Sequence, residues 1–335
     1  MAAKRTQAEG AKWPSELALL RQIRSRARRG AAVRLGIGDD CALLRMRTGE
    51  EIAVTTDLSI AGRHFRFESH PPESVGHRAL TRGLSDLAAM GARPLAAFLS
   101  LGLPRDLTVP GKPGSGSWMS LFLDGLLRLA DAYRVPLAGG DLAESPAIVA
   151  DIVLVGAVPR GRALLRSDAH PGHLLYVTGA LGAAAAGFAR LPGLKEELPR
   201  NIEGALKAHL FPQPRVAQGE WLQRRGLATA AIDLSDGLST DLTHLCEESR
   251  VAAEVDAAAL PIHHDANLEQ ALHGGEDYEL LFAARPSTRI PRSIAGVSIT
   301  KIGRVVKPMA DRPTVALITG RGSEALEARG WEHFA

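Results

Sequence analysis

Aspartates beside Gly, Ser or Thr recur along this chain, and their side chains are suited to binding cations. The set, with its neighbouring hydroxyl residues, is Asp39, Asp40, Thr55, Thr56, Asp57, Asp86, Asp141, Asp233, Ser235 and Asp236. Carboxylate and hydroxyl oxygens are hard ligands, which Mg²⁺ takes together with the oxygens of substrate phosphates. The repetition favours a site that gathers several divalent cations and, through them, phosphates. Taken singly, each such Gly-Asp or Ser-Asp pair is more often part of a turn.

Four further residues are candidates for substrate contacts, and each has an ordinary structural alternative. His64 follows a Gly-Arg pair, and a lone histidine is more often structural than catalytic. Arg166 is suited to clamping a phosphate or to forming a linker ion pair. Glu276 follows a Gly-Gly pair that also predicts a hairpin turn, and Trp331 near the end of the sequence fits ordinary packing.

Signatures of several other enzyme classes are missing. Pro113 follows Gly111-Lys112 and so breaks the phosphate-loop pattern, and no dinucleotide-binding glycine motif or protein-kinase motif occurs. Neither G-x-S-x-G nor H-E-x-x-H is present, which argues against a serine hydrolase or a zincin. The two cysteines, Cys41 and Cys246, form neither a disulfide framework nor a zinc motif.

The composition predicts a globular protein in the cytoplasm. The chain has 335 residues, 45% of them hydrophobic, and a formal net charge of +3. The first residues lack an apolar signal-peptide core, and the apolar run at 147–158 is shorter than the roughly 20 residues that span a bilayer. An arginine run (Arg21, Arg24, Arg26, Arg28 and Arg29) fits a solvated helix face or a nucleic-acid contact. We expect no nucleic-acid partner, because no aromatic residues are interleaved with the run.

Hydrophobic periodicity predicts alternating strands and helices, hence an α/β or α+β layered fold. Strands are predicted at 52–56, 96–103, 137–141, 148–158, 174–178, 228–232, 252–256, 278–283, 297–305 and 315–319. Helices are predicted from Ser15 to Gly30, from Ser74 onward, at 121–133, after 179–182 and within 235–248. Asp57 and Asp141 are placed where predicted strands end. Asp86 falls one helical turn after Arg82, so an exposed ion pair is its alternative role.

The sequence is predicted to divide into a flexible tail at 1–14 and two domains. The first comprises residues 15–159, and the second, residues 160–335, is expected to be a C-terminal α/β domain. The boundary is placed in the Pro-, Gly- and Arg-rich stretch at 159–172.

Read together, these segments resemble the thiamine-monophosphate kinases, and the matches span nearly the whole chain in family order. The matching segments are LGIGDDCALL (35–44), AVTTDLSIAGRHF (53–65), GHRALTRGLSDLAAMGARPLA (76–96), LAGGD (137–141), GRALLRS (161–167), VTGALGAAAAG (177–187), AIDLSDGLSTDLTHLCE (231–247), HGGEDYELLF (273–282), IGRV (302–305) and GWEHF (330–334). Three departures stand out: Gly83 occupies the place of a usual Asn, residues 142–144 replace a Thr-Thr-Arg-like run, and the loop at 109–118 is longer than usual.

The resemblance implies an aminoimidazole-ribotide synthetase-like fold of two domains, with a barrel-like dimer interface built by N-terminal strands of a homodimer. It also implies that the first domain, residues 15–159, binds ATP and Mg²⁺ and dimerises. It implies ATP-dependent phosphorylation of thiamine phosphate to thiamine diphosphate with several Mg²⁺ ions. The implied metal ligands are Asp40, Thr55, Thr56, Asp57, Asp86, Asp141, Asp233 and Asp236. The implied ATP-binding residues are Gly140, Asp141, Arg166 and Ser235. The implied thiamine-phosphate residues are His64, Glu276 and Trp331.

The acceptor chemistry fits a chain rich in Asp. A phosphate monoester is mostly dianionic at pH 7, so it attacks without a general base. The obstacle is repulsion between two polyanions, which makes in-line transfer a matter of positioning and charge neutralisation. Two alternatives stay open: another ATP-using enzyme of the same superfamily and a non-catalytic scaffold for metal or nucleotide. The selenophosphate synthetases are disfavoured, because a reactive N-terminal Cys with a nearby Lys is absent.

Overall fold

The computed structural model describes residues 13–38, 41–112, 115–191 and 201–331, which form two larger β-sheets with packed helices and a small two-stranded sheet. The helices are α1 Glu16–Arg26, α2 Pro72–Ala89, α3 Trp118–Tyr133, α4 Ala183–Ala189, α5 Gly204–Leu210, α6 Val216–Arg225, α7 Leu238–Ser249 and α8 Leu268–His273. The strands are β1 Val33–Leu35, β2 Leu43–Leu44, β3 Glu50–Ile60, β4 Arg93–Leu103, β5 Leu137–Glu144, β6 Val149–Pro159, β7 Leu174–Thr178, β8 Ala230–Asp233, β9 Ala252–Asp256, β10 Leu280–Ala284, β11 Ser293–Ile294, β12 Val297–Val306, β13 Val315–Thr319 and β14 Gly322–Ala325.

The N-terminal sheet has the strand order β3-β6-β4-β5, with β4 and β5 parallel and the other pairs antiparallel. Helix α2 packs on one face of this sheet and against α3. Its Leu80 and Leu84 join Ile152 and Leu154 of β6 in the same buried cluster. This packing fixes which face of α2 points toward β3, and therefore where the polar side chains of the helix lie.

The C-terminal sheet has the order β14-β13-β9-β12-β7-β10-β8, with β11 paired to β12. Strand β10 is buried on both faces: Leu280 and Phe282 belong to the core shared with α2, and Leu281 belongs to a second core. Helix α7 packs over β8, β9 and β13. Because α2 also contacts β8, the central helix of the first half lies against a strand of the second.

Several predicted elements are confirmed, and two strands are longer than expected. Helix α1 begins after Ser15, whose Oγ accepts a hydrogen bond from the N–H of Ala18, but it ends at Arg26 rather than at Gly30. Strands β3 and β5 continue past Asp57 and Asp141. The prediction that these carboxylates follow strand ends is therefore wrong. Pairing with β6 continues through Asp57↔Ile152 to the end of β3, and this ladder outweighs the local polar signal.

The mixed α/β fold with two domains is confirmed, whereas a closed barrel is not formed within the described residues. Strands β3 and β5 are the two edges of an open four-stranded sheet. Within the arginine run, Arg26 pairs with Asp124 of α3, and Arg28 pairs with Asp131 at 3.1 Å. Among the described residues, no helix has the length and apolar character needed to cross a membrane.

Candidate active site

Three carboxylates from separate elements form the centre of the site, and we call Asp57, Asp86 and Asp233 the carboxylate cluster. Asp57 comes from β3, Asp86 from α2 and Asp233 from the last position of β8. The hydroxyl of Thr55 donates a hydrogen bond to Oδ2 of Asp86. The hydroxyl of Ser85 donates one to Oδ2 of Asp233 at 2.7 Å. The contact of α2 with β3 and β8 thus brings residues from both halves of the chain together.

The carboxylate cluster is short of positive charge. Burial, together with the neighbouring charge of Asp233, raises the pKa of Asp86 to about 7. Burial also raises the pKa of Asp233, although the hydrogen bond from Ser85 and the charge of Arg166 work in the opposite direction. Like charges in a desolvated site disfavour ionisation of both groups. A bound cation would reverse that penalty, so this cluster has the chemistry of a divalent-metal site.

Asp236 lies in a loop between β8 and α7 that is held by a second buried carboxylate. Oδ2 of Asp241 accepts hydrogen bonds from the backbone N–H groups of Asp236, at 3.1 Å, and Gly237, at 3.0 Å. Burial and the nearby Asp233 and Asp236 raise the pKa of Asp241 to about 8. Single ligand atoms of Asp236, Asp241 and His244 lie within 4.8 Å of one another, a spacing that suits one cation.

The same loop collects two of the predicted substrate residues. The backbone carbonyl of Ser235 accepts a hydrogen bond from the N–H of Glu276 at 2.7 Å. The carbonyl of Asp236 accepts one from the N–H of Trp331 at 3.1 Å. A side chain at Gly330 could not fit here, since a Cβ would lie 2.1 Å from the carbonyl oxygen of Asp236. The close approach of residues 330–331 therefore puts the partly exposed Trp331 ring at this loop.

Two arginines of α2 converge on Glu276, and we call Arg78 and Arg82 the arginine pair. Oε1 of Glu276 lies 2.5 Å from Nη2 of Arg78 and 3.2 Å from Nη2 of Arg82. Although burial favours the protonated form, the charges of Arg78 and Arg82 lower the pKa of Glu276 to about 2. Glu276 also has a φ of 67°, a left-handed conformation that is uncommon for residues other than glycine and that clusters at functional sites.

Arg78 links Glu276 to His64. Nη2 of Arg78 donates a hydrogen bond to the backbone carbonyl of His64 at 3.0 Å, and Nη1 donates one to the carbonyl of His209 at 2.7 Å. Nδ1 of His64 accepts a hydrogen bond from the N–H of Ile60 at 3.0 Å. The predicted substrate residues His64 and Glu276, which are distant in sequence, are thus both bound by one nitrogen of Arg78, Nη2.

The buried histidines beside this network are poor candidates for a general base. Burial and the charge of Arg78 lower the pKa of His209 to about 2 and that of His70 to about 4. Their Nε2 atoms lie 3.1 Å apart, so one ring donates a hydrogen bond to the other. A neutral pair with such low basicity packs the wall of the site and takes no proton from a substrate near pH 7.

Some predicted residues are not placed with the carboxylate cluster. Thr55 and Asp57 are half-buried, whereas Thr56 is exposed, as expected for neighbours that alternate across a strand. Asp141 is exposed on β5, at the opposite edge of the sheet from Asp57. Three strand spacings separate these edges, roughly 14 Å along the sheet. The predictions for Asp39 and Asp40 concern residues outside the described ranges.

Gly140 lies on β5, whereas Arg166 lies near the carboxylate cluster. Gly140 has a φ of 142°, and a Cβ there would lie 1.9 Å from the carbonyl oxygen of Leu99, so only glycine fits this part of β5. Arg166 lies in a short 3₁₀ turn whose preceding residue, Leu165, bridges to Ala230, the first residue of β8. Its charge lowers the pKa values of Asp86 and Asp233, which shows that its side chain belongs to the same electrostatic environment as the carboxylate cluster.

The sequence reasoning missed the arginine pair, Ser85 and Asp241. The ion pair considered between Arg82 and Asp86 is wrong: Arg82 contacts Asp57 and Glu276 instead. A usable signal was present, because Arg78, Arg82 and Asp86 follow one another at i, i+4 and i+8 and so share one helix face. Gly83, the departure noted in the sequence, packs on β6, where a Cβ would lie 2.7 Å from Cδ1 of Leu154.

Comparison with known proteins identifies the family of this chain. Residues 38–158 match the family described as AIR synthase related protein, N-terminal domain, and residues 170–314 match the corresponding C-terminal domain. A thiamine-monophosphate kinase of Escherichia coli (strain K12) is 40% identical over 316 residues, covering 90% of this chain and 93% of that protein. This chain belongs to the thiamine-monophosphate kinase family.

Solved structures of thiamine-monophosphate kinases have the same fold. The enzyme from Stenotrophomonas maltophilia K279a is 37% identical, with a TM-score of 0.76, and the match covers 90% of this chain and 96% of that one. AaThiL complexed with AMPPCP and TMP is 32% identical, with a TM-score of 0.74 and coverage of 87% and 89%. The two-domain arrangement described above is therefore that of the family.

Proposed function

We propose that this chain transfers the γ-phosphoryl group of ATP to thiamine phosphate, which yields thiamine diphosphate and ADP. The observation that carries the proposal is the contact between the carboxylate cluster and the Glu276 site, in a chain of this family. The carboxylate cluster is suited to metal–nucleotide binding, and it adjoins Glu276 and the arginine pair. The family relationship and the complex of AaThiL with AMPPCP and TMP support assigning these two sites to the two substrates.

Mg²⁺ is the metal we assign, with several ions held by the carboxylate cluster, Asp236 and the hydroxyl of Thr55. The raised pKa values of Asp86 and Asp233 support the fit, since these desolvated carboxylates need a positive charge to ionise together. Mg²⁺ neutralises phosphate charge and orients the phosphates when bound. We keep Asp40, Thr56 and Asp141 as further candidate ligands, because their carbonyl or carboxylate oxygens are suited to binding Mg²⁺.

The transfer step needs positioning more than proton chemistry. An oxygen of the thiamine phosphate forms a bond to the γ-phosphorus of ATP while the bond from that phosphorus to the β,γ-bridging oxygen breaks, and ADP leaves with the electron pair. The acceptor is already dianionic near pH 7, so no side chain has to remove a proton. The low pKa values of His70 and His209 support transfer without a general base. We propose that the transfer is direct and in-line and forms no phosphoenzyme.

The remaining predicted residues are assigned by their positions around this step. We assign Arg166 and Ser235 to the ATP phosphates, because they flank the carboxylate cluster, and we keep Gly140 and Asp141 on β5 as nucleotide contacts. His64 and Glu276 are assigned to thiamine phosphate. Trp331 is assigned to the thiamine ring, since a half-exposed aromatic face can stack on a cationic heterocycle.

The decisive experiment is an assay of the purified protein with ATP, Mg²⁺ and thiamine phosphate, in which thiamine diphosphate is separated and quantified. We expect Mg²⁺-dependent product formation and no stable phosphoprotein after incubation with ATP alone. Absence of product at micromolar enzyme would contradict the proposed reaction and favour another superfamily activity. Binding of ATP without turnover on any acceptor would favour the scaffold alternative.

We further propose that the protein is a homodimer joined through the uncovered face of the N-terminal sheet. Ile52, Val54 and Leu58 of β3 are 57%, 60% and 48% exposed, and Val153 and Val155 of β6 are half-buried beside them. A contiguous apolar strand face of this kind is typical of an interaction site. Two such sheets placed face to face would give the barrel-like interface that the resemblance implies.

Val54→Asp should disrupt this dimer, because it places a charge at the centre of an apolar interface. We expect the molar mass from light scattering to fall to that of one chain, with a far-UV circular dichroism spectrum like that of the wild type. Met309→Asp is the matched control, since Met309 is 50% exposed and lies outside the N-terminal sheet. A monomeric wild-type protein, or a dimer that survives Val54→Asp, would disprove this interface.

Two organisational assignments complete the proposal. We place the domain boundary at residues 159–160, between β6 and the Arg166 turn, with the ATP- and Mg²⁺-binding domain before it and the C-terminal α/β domain after it. We also propose a cytoplasmic location, because the reaction consumes ATP. We expect no nucleic-acid partner, and salt-dependent binding to random DNA would contradict that expectation.

A further inference from the structure

Arg82 occupies a position between the two substrate sites that the proposed reaction does not yet explain. Its Nη1 lies 3.2 Å from Oδ1 of Asp57 and 3.2 Å from the carbonyl oxygen of Leu58. Its Nη2 lies 3.2 Å from Oε1 of Glu276. The guanidinium group therefore spans the gap between a carboxylate of the metal site and the carboxylate assigned to thiamine phosphate.

One donor of this guanidinium group is unsatisfied. Nε of Arg82 is buried and has no hydrogen-bond partner among the described residues. A buried donor left without a partner is costly, and such a group in a native structure calls for a ligand or another explanation. Nε and Nη2 form the edge that arginine uses for two parallel hydrogen bonds to a phosphate or carboxylate. Nη2 has a second N–H beyond the one directed at Glu276.

The local charge balance depends on Asp57. The arginine pair carries two positive charges and shares one oxygen of Glu276, so Glu276 compensates only one of them. Asp57 supplies the second negative charge through its contact with Arg82. If a divalent cation draws the carboxylate of Asp57 toward itself, Arg82 is left with an uncompensated charge beside the acceptor site. A dianionic phosphate monoester is the kind of ligand that this charge attracts.

We propose that Arg82 binds the phosphate group of thiamine phosphate and so selects the phosphorylated acceptor over free thiamine. This inference rests on the proposed function and adds a specificity residue to it. Nε has almost no accessible surface while Arg82 holds Asp57, so the phosphate contact requires the guanidinium group to move away from that carboxylate. Arg82 then positions the attacking phosphate oxygen next to the metal-bound nucleotide and offsets the repulsion between the two anions.

The test compares two ligands that differ only in the phosphate. Dissociation constants of thiamine phosphate and of thiamine are measured by calorimetry with Mg²⁺ and a non-hydrolysable ATP analogue, for the wild type, Arg82→Gln and Arg82→Lys. Loss of a charge-assisted pair of hydrogen bonds should weaken thiamine phosphate binding by at least ~10-fold in Arg82→Gln. The dissociation constant of thiamine should change by less than about twofold, since thiamine has no phosphate for Arg82 to contact. The dissociation constant of thiamine phosphate for Arg82→Lys should lie between those of the wild type and Arg82→Gln. Lysine keeps the positive charge but cannot form the two parallel hydrogen bonds of a guanidinium group.

Steady-state kinetics supply the second measurement. In Arg82→Gln the KM for thiamine phosphate should rise while the KM for ATP stays near that of the wild type. Arg93→Gln is the matched control. Arg93, at the start of β4, pairs with Glu50, at the start of β3, at 2.9 Å and forms no ion pair with Asp57 or Glu276. It should leave both KM values and both dissociation constants unchanged.

The outcomes separate the specificity role from a structural one. Equal weakening of thiamine and thiamine phosphate, or no change in either, would overturn the role of Arg82 and leave the proposed reaction standing. A wild-type protein that neither binds nor phosphorylates thiamine phosphate would overturn the proposed function and this inference with it. If Arg82→Gln does not fold, the two dissociation constants are compared for Arg82→Lys instead. Equal weakening of thiamine and thiamine phosphate binding in that variant would again argue against phosphate recognition.

Discussion

The carboxylate cluster and the Glu276 site both hold partly buried carboxylates, and they touch through Arg82, yet their electrostatics are opposite. At the cluster, burial and neighbouring carboxylates raise the pKa of Asp86 to about 7. At the second site, the arginine pair overcomes burial and lowers the pKa of Glu276 to about 2. At the first site, Asp86 and Asp233 form no ion pair within the described residues, whereas at the second site Glu276 pairs with two arginines.

The carboxylate cluster therefore depends on bound metal for its charge balance, whereas the charge of Glu276 is balanced by side chains of the fold. A cluster of uncompensated carboxylates destabilises the folded chain when ionised, and binding of cations removes that cost. A carboxylate enclosed by two guanidinium groups is already balanced and stabilises the contact between α2 and the loop that carries Glu276. Substitutions at the two sites should therefore affect activity and stability in opposite proportions.

The largest effect is expected from Asp57→Asn. Removing one charge from the metal site should lower kcat by at least ~100-fold. Because Asp57 also pairs with Arg82, the free energy of unfolding measured without divalent metal should fall as well, but by less than in Glu276→Gln. The measurements are the thiamine diphosphate assay and urea denaturation. Asp124→Asn is the control, because Asp124 pairs with Arg26 away from the site and should leave kcat unchanged. Near-normal turnover by Asp57→Asn would mean that Asp57 does not hold the metal.

Glu276→Gln should act mainly on stability. It leaves the arginine pair, of which the Arg78 side chain is almost fully buried, without its balancing charge. Breaking a buried pair from one side costs roughly 3 kcal/mol, which urea denaturation should detect. Glu254→Gln removes a more exposed partner of Arg304 and should cost less than about 1 kcal/mol. A loss at Glu276 no larger than that of the control would contradict the compensated-site interpretation.

The smallest effect is a difference in the pH dependence of stability measured without divalent metal. For Asp86 the folded-state pKa of about 7 lies above the usual value of 3.8, so the folded state retains a proton that the unfolded state has lost. Its contribution to stability should fall as pH rises from about 4 to 7 and be flat above that. Asp86→Asn should remove this decline.

Glu276 should show the opposite slope. Its folded-state pKa of about 2 lies below the usual 4.5, so its contribution is present above about pH 4.5 and is lost as pH falls toward 2. Difference curves of unfolding free energy against pH for Asp86→Asn and Glu276→Gln should therefore slope in opposite directions. Parallel curves would show that the two sites do not differ in charge compensation, and added Mg²⁺ should flatten only the Asp86 difference.

The periodicity of the sequence predicted much of the local structure. Strands β7, β9 and β13 have the bounds expected from their apolar runs, and α1 begins at the predicted Ser15 cap. Short elements such as α5, α8 and β11 escaped prediction, because so few residues give no clear period and packing stabilises them. The extension of β3 past Asp57 was missed for a similar reason, since cross-strand pairing with β6 is a long-range interaction.

The sequence by itself determined which chemical groups are available: oxygen ligands beside turn residues, no histidine or lysine in a recognisable base motif, and family segments in order. Only the tertiary structure decided which of them meet. It placed Asp57 and Thr55 toward α2 and left Thr56 exposed, and it turned Arg82 from its helix neighbour Asp86 to Asp57 and Glu276. Composition and spacing are local properties, whereas the partner of a charge is chosen by the packing of elements that are distant in sequence, here α2 between the two sheets.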